Sequence, residues 1–194
     1  MESWKTLTNK MVYSEQVKCL PPPRVEVTSV SQYNYKNAWK RLDMYVLESP
    51  IKEISFMLVH NKLPTKERTF RVGISPDPVC HICPGRVNSN AEHFFCGCVR
   101  VGLVWARIKT ILVQLIGENV CNWKLINYLM PVNNNEKEVV WLLGNYIWKC
   151  WKDLFSHPQD FLKEEEFFGF LRFKFRNDQQ GARERLNDIS SLLL

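Results

Sequence analysis

The chain has 194 residues, enough for one modest domain with extensions or two small ones, and enough to bury a core. Its hydrophobic and charged fractions, 45% and 24%, are ordinary for a globular protein and exclude wholesale disorder. The net charge of +6 is uneven: residues 1–112 carry 16 Lys/Arg against 9 Asp/Glu and the remainder 10 against 11, so the first part suits a polyanion such as nucleic acid.

Residues 1–30 read as a linker, with a short helix at about Thr6 to Lys18 and a stiff spacer at Pro21-Pro22-Pro23, where helix is forbidden. Residues 31–156 read as a helical domain. Tyr35, Ala38, Trp39, Leu42 and Val46 mark one helical face. Ser49 caps a second helix with Pro50 in its first turn; Ile51, Ile54, Met57 and Leu58 face inward, and Asn61 and Pro64 end it. Thr65 caps a short helix through Phe70, stopped by Gly73. Ser89 and Glu92 stand three apart as in a capping box, with Asn90 as a competing cap. Val101–Ile116 reads as the longest amphipathic helix, lined by Val104, Trp105, Ile108, Ile111, Leu112 and Leu115 and ended by Gly117. A shorter helix is expected at Trp123–Leu129. Asn133-Asn134-Asn135 then opens one lined by Val139, Leu142, Leu143, Tyr146, Ile147, Cys150, Trp151 and Leu154. Residues 157–194 form a phenylalanine-rich, charged tail, read as peripheral helices that dock on a partner. Trp39, Trp105 and Trp151 are expected to be packing residues, and Cys19, Cys121 and Cys150 small apolar fillers.

The densest chemistry is PVCHICPGRVNSNAEHFFCGC, which reads C-x2-C-x9-H-x4-C through Cys80, Cys83, His93 and Cys98. That spacing suits one tetrahedral zinc ion, Zn2+, and thiolates with imidazole favour zinc over magnesium or calcium. Cys96 competes with Cys98, because a pair one residue apart rarely donates twice to one ion. A helix that starts near Ala91 and ends at Gly97 favours Cys98. Four protein ligands close the shell, so the metal is structural rather than catalytic.

Other signatures are missing. There is no Gly-rich phosphate loop, no aromatic-x-Asp-Asp doublet for a polymerase and no G-x-S-x-G, and His60 and His157 have no evident acid or base partner. The chain itself is therefore not expected to be an enzyme. Arg107, Lys109, Gln114 and Lys149 interrupt the longest apolar runs, so no membrane span is expected. The N-terminus lacks the apolar core of a secretory signal, and crowded cysteines then point to a reducing, intracellular location, nucleus and/or cytoplasm.

Three stretches, Trp39, FMLVHNKLPTKERTFRVGISPDPVCHIC and AEHFFCGCVRVGLVW, resemble the zinc-binding domain that follows the reverse transcriptase of non-LTR (LINE-type) retrotransposons. His60, Leu63, Pro64, Thr65 and Arg68 match that family's H-x-x-LPT-x-x-R phrase; Cys80, Cys83, His93 and Cys98 match its ligand pattern, and Trp105 the tryptophan several residues beyond. The similarity spans about residues 10–155. Ser89-Asn90 departs from the family's usual Glu-Thr before the histidine. The resemblance selects Cys98 over Cys96. It implies a non-catalytic accessory domain that engages template RNA or target DNA beside the rest of a reverse transcriptase polyprotein. The alternative is a zinc-stabilised protein-interaction module docking on a polymerase or host partner. The expected fold is mainly α, a small helical bundle with a single Cys3His zinc knuckle. Lys62, Lys66, Arg68, Arg71, Arg86 and Arg100 are the expected phosphate contacts.

Overall fold

A computed structural model describes residues 47–117 and 135–177, all within one unit, Gln32–Leu194. The expected helix around Trp39, the one at Trp123–Leu129 and the linker lie outside the described residues. Among the described residues the protein is helical: α1 (Ser49–Val59), α2 (Lys66–Arg71), a π-helical turn (His93–Gly97), α3 (Gly102–Ile116), α4 (Glu136–Ser156) and α5 (Glu164–Asn177). The only β pairing among them is an isolated antiparallel bridge, Val79 with Asn88.

Local chemistry sets the helix ends. Glu48, not Ser49, caps α1; Ser49 is already helical and Pro50 sits in the first turn, where a missing N–H is harmless. At its other end the Asn61 N–H donates to the Leu58 carbonyl and the Lys62 N–H to Met57, with Asn61 at φ 51°. This is a Schellman stop that uses asparagine, a residue that tolerates the left-handed region. Helix α2 begins as expected, with the Thr65 hydroxyl accepting from the Arg68 N–H at 3.4 Å. It closes with a second Schellman stop on Gly73, at φ 76°. Gly117, at φ 89°, ends α3.

Helix α4 is the longest described helix, at 21 residues roughly 32 Å, and it exceeds the 15 residues of α3. Val139 to Ile147 are buried without a break, so this half is enclosed on all sides and forms the axis of the bundle. Helix α1 packs along it, and α3 touches α4, α5 and the π turn. Tyr146 is the focal residue: its ring stacks on Trp105 of α3 at 5.3 Å and meets Phe167 of α5 edge-on at 5.8 Å. The Asn135 side chain, just before α4, donates to the Leu115 carbonyl at 2.9 Å. It thereby satisfies one of the last carbonyls of α3, which has no partner inside its own helix.

The tail begins differently from its reading as peripheral. Phe167, Phe168 and Leu171 of α5 are fully buried, and Trp148 stacks on Phe170. Full burial of such side chains contributes about 1.5–3 kcal/mol each, so α5 is part of the core. The charged residues that suggested a peripheral role lie on its outer side, where Arg107 pairs with Glu164 at 2.7 Å and Lys163 with Glu166 at 2.7 Å.

Candidate metal centre

Cys80 and Cys83 sit on a short hairpin. Its legs are tied by the Cys80 N–H to the Val87 carbonyl at 2.9 Å and the Ser89 N–H to the Pro78 carbonyl at 2.8 Å. Pro84 and Gly85, the latter at φ 88°, occupy the centre of a tight turn and suit its type II form. Arg86 follows at φ 52°, a left-handed position with a long side chain. Outside the hairpin, Asp77 accepts from the Val79 N–H at 2.9 Å and holds the His81 ring at 3.0 Å. His81 is thus turned outward, away from the other donors.

His93 and Cys98 come from the π turn. Asn90, not Ser89, caps this segment, with its side-chain oxygen accepting from the His93 N–H at 2.7 Å. Ser89 is instead buried and tied through its backbone to the hairpin and to Glu67 of α2. The Cys98 N–H reaches back five residues to the His93 carbonyl at 2.7 Å. That i to i+5 bond widens the turn and brings residues five apart over one another, which an ordinary α turn does not do. The sequence favours Cys98 through a helix ending at Gly97; the widened turn is how the residue qualifies.

The ligand atoms of Cys80, Cys83, His93 and Cys98 all lie within 4.8 Å of one another. The Cys80 and Cys98 sulfurs are 4.0 Å apart and those of Cys83 and Cys98 3.7 Å. Sulfurs bound to one tetrahedral ion at 2.3 Å stand about 3.8 Å apart, so the donors are already spaced for a metal. Nε2 of His93 is buried and lacks a hydrogen-bond partner, an orphan that an ion at this position would satisfy. Cys96 is outside the group, although it lies only two residues from Cys98.

The surroundings favour the thiolate at Cys80 and a neutral imidazole at His93, and oppose the thiolate at Cys83. Burial pushes the Cys80 thiol up, but the backbone N–H groups of Cys83 and Ile82 bring it below its ordinary value overall. Burial and the neighbouring Cys98 push Cys83 up to about 11, against the Val99 N–H that donates to its sulfur at 3.3 Å. His93 is lowered, first by burial and then by the Arg100 guanidinium, which keeps its ring neutral and able to donate a lone pair.

Two residues outside the ligand set anchor the centre to the bundle. The Tyr146 hydroxyl donates to the Phe95 carbonyl in the π turn at 2.5 Å. Burial, then the neighbouring Cys150, push that phenol well above its usual range, so it remains a donor. Arg100 is 7% exposed. Its Nε donates to the Cys98 sulfur at 3.4 Å, and its Nη1 donates to the Pro158 carbonyl at 2.7 Å and the Leu154 carbonyl at 3.4 Å. The guanidinium also lies 5.5 Å from the Phe94 ring centre. Arg100, expected as a phosphate contact, is thus buried, with its Nε and Nη1 donors engaged inside the protein. Neither anchor was legible as such, since their partners lie 51 to 58 residues away in the chain.

The other expected contacts are at or near the surface. Lys62, Lys66, Arg71 and Arg86 are exposed. Arg71 pairs with Glu67 at 2.6 Å, and Arg68 is half-buried, its Nη1 donating to the Asn61 carbonyl at 2.8 Å to brace the α1–α2 corner. No helix among the described residues is long and apolar enough to cross a membrane. Comparison of the chain with protein-family models, with curated proteins and with solved structures finds no match.

Proposed function

We propose that this chain is a zinc-stapled, non-catalytic module that binds RNA or DNA through phosphate contacts, as an accessory to a retrotransposon-type reverse transcriptase. The observation that carries the metal part is the convergence of three sulfurs and one imidazole within 4.8 Å, at sulfur separations a tetrahedral ion requires. Zinc is the ion that this donor set favours, held by Cys80, Cys83, His93 and Cys98. Four protein ligands leave no open position for substrate or water, so its contribution is folding energy, roughly 10 kcal/mol or more in small zinc modules.

The nucleic-acid part is supported by the exposure of Arg86 on the hairpin, of Lys66 and Arg71 on α2 beside it, and of Lys62 just before α2. The Glu67 N–H donates to the Ser89 carbonyl at 3.3 Å, which ties α2 to the hairpin. The sequence resemblance around LPT and the four ligands points the same way. Elemental analysis should find one zinc per chain. Replacing Lys62, Lys66, Arg71 and Arg86 by Gln should lower the slope of log affinity against log salt by about 0.7–0.9 for each phosphate neutralised by these side chains. A folded, metal-loaded wild-type chain that binds neither RNA nor DNA at low salt would favour the second reading, a protein-interaction module. That reading is favoured by one observation: Phe70, Val72 and Ile74 all stand exposed along the exit of α2.

A further inference from the structure

A cavity of about 170 Å³ opens between the metal hairpin and the end of α4. Its walls include Ile82 of the hairpin, Phe94 of the π turn, Trp151 and Phe155 of α4, and Pro158 beyond it; Lys66 stands on its lining. The size is informative. A cavity of about 150 Å³ holds one benzene ring, whereas sites for drug-sized ligands run to about 300–1,000 Å³. One planar ring system fits here and little more.

The lining favours a flat, π-bearing occupant. Trp151 and Phe155 stack at 4.4 Å with their planes 17° apart, and Phe94 leans on Trp151 at 5.6 Å. Phe155 remains 50% exposed although it belongs to this aromatic stack. Lys66, exposed on the same lining, supplies a positive charge beside a mostly apolar hollow that Arg100, His81 and Gln159 also line. An apolar slot for one ring, with a cation at its edge, matches a nucleotide: base inside, phosphate outside. Aromatic platforms accept every base, because every base has a π face. A base within a duplex is stacked and paired and cannot enter, so the slot selects single strands.

We propose that this cavity seats one unpaired nucleobase of a single-stranded nucleic acid, with Lys66 on the adjoining phosphate. The proposal rests on the nucleic-acid reading above and adds to it a strand preference and a base contact. It also links the seat to the metal. Arg100 lines the cavity and is bonded to both of its sides, to Cys98 on one and to the Leu154 and Pro158 carbonyls on the other. With an ion held by the four candidate ligands, its removal would free the hairpin wall and the Cys98 anchor together.

The test uses the zinc-loaded full chain, a short oligothymidylate, and a strand of equal length and charge in which every base is absent. The base-bearing strand should bind at least about fivefold more tightly at every salt concentration, quench tryptophan fluorescence and show the same salt slope. Phe155→Ala, at a half-exposed position, should keep the fold by circular dichroism and abolish the difference between the two strands. Equal affinity of wild type for both strands overturns the base seat while leaving phosphate binding intact. Undiminished discrimination in Phe155→Ala overturns it as well. Failure to bind either strand, or an oligouridylate of the same length, overturns both this proposal and the reading it rests on.

Discussion

Replacing Arg100 by Ala removes a buried cation that three parts of the fold share. Its strongest bond is the one to the Pro158 carbonyl, at 2.7 Å; those to Leu154 and the Cys98 sulfur, at 3.4 Å, are weaker. A hydrogen bond from a charged donor contributes about 1.5–3 kcal/mol, and the buried carbonyl of Leu154 loses this partner. The side chain's aliphatic stem disappears too, together with the guanidinium's contact with the Phe94 ring. A fully loaded Cys3His zinc site carries one net negative charge, which the guanidinium beside Cys98 offsets. Together these give roughly 3–4 kcal/mol, close to the cost of stripping one partner from a buried charge pair. With a urea slope of about 2 kcal/mol/M, the unfolding midpoint should fall by about 1.5–2 M in excess zinc. Arg100→Lys keeps the charge but not the fork, so it should fall between wild type and Ala. A midpoint for Arg100→Ala within about 0.3 M of wild type would refute the view that this arginine ties the metal centre to the bundle.

The same geometry sets three further outcomes. Cys98→Ser should lose stoichiometric zinc while Cys96→Ser keeps it, measured by elemental analysis after dialysis; the reverse result would move the fourth ligand to Cys96. Tyr146→Phe removes the hydroxyl that satisfies the Phe95 carbonyl without opening a cavity, and should cost about 1–3 kcal/mol in denaturant unfolding. Arg86→Gly relieves a left-handed backbone position, so stability should stay within about 1 kcal/mol of wild type or rise slightly. The same variant should bind RNA more weakly, which separates the role of Arg86 in binding from any role in folding.

The four candidate ligands were legible in the sequence because such a cluster is local: a two-residue knuckle and a histidine five before a cysteine declare themselves by spacing. The caps at Thr65 and the stops at Gly73 and Gly117 were legible for the same reason, since a hydroxyl or a glycine acts within one turn. What could not be read was set by distant partners. Asn90 wins the cap over Ser89 because Ser89 is drawn into the hairpin and toward α2. Arg100 looks like any other arginine near a basic loop until the carbonyls of Leu154 and Pro158 close on it. The acidic run Glu164-Glu165-Glu166 made the tail look peripheral, although Phe167 and Phe168 directly behind it are buried.

The widened turn at His93–Gly97 has a consequence for portability. Such turns are rare and seldom self-supporting. This one is braced from outside by the phenol of Tyr146, by the Asn90 cap and by Arg100 on Cys98. Small zinc fingers can be excised and grafted because metal and a few residues suffice to fold them. Here the spacing between histidine and last cysteine is maintained by a helix that begins some forty residues later in the chain. A peptide carrying only the hairpin and the four ligands would have the right donors without the scaffold that spaces them, and would bind zinc more weakly than the whole chain. The centre is thus a keystone of its bundle, shaped by the arch it locks.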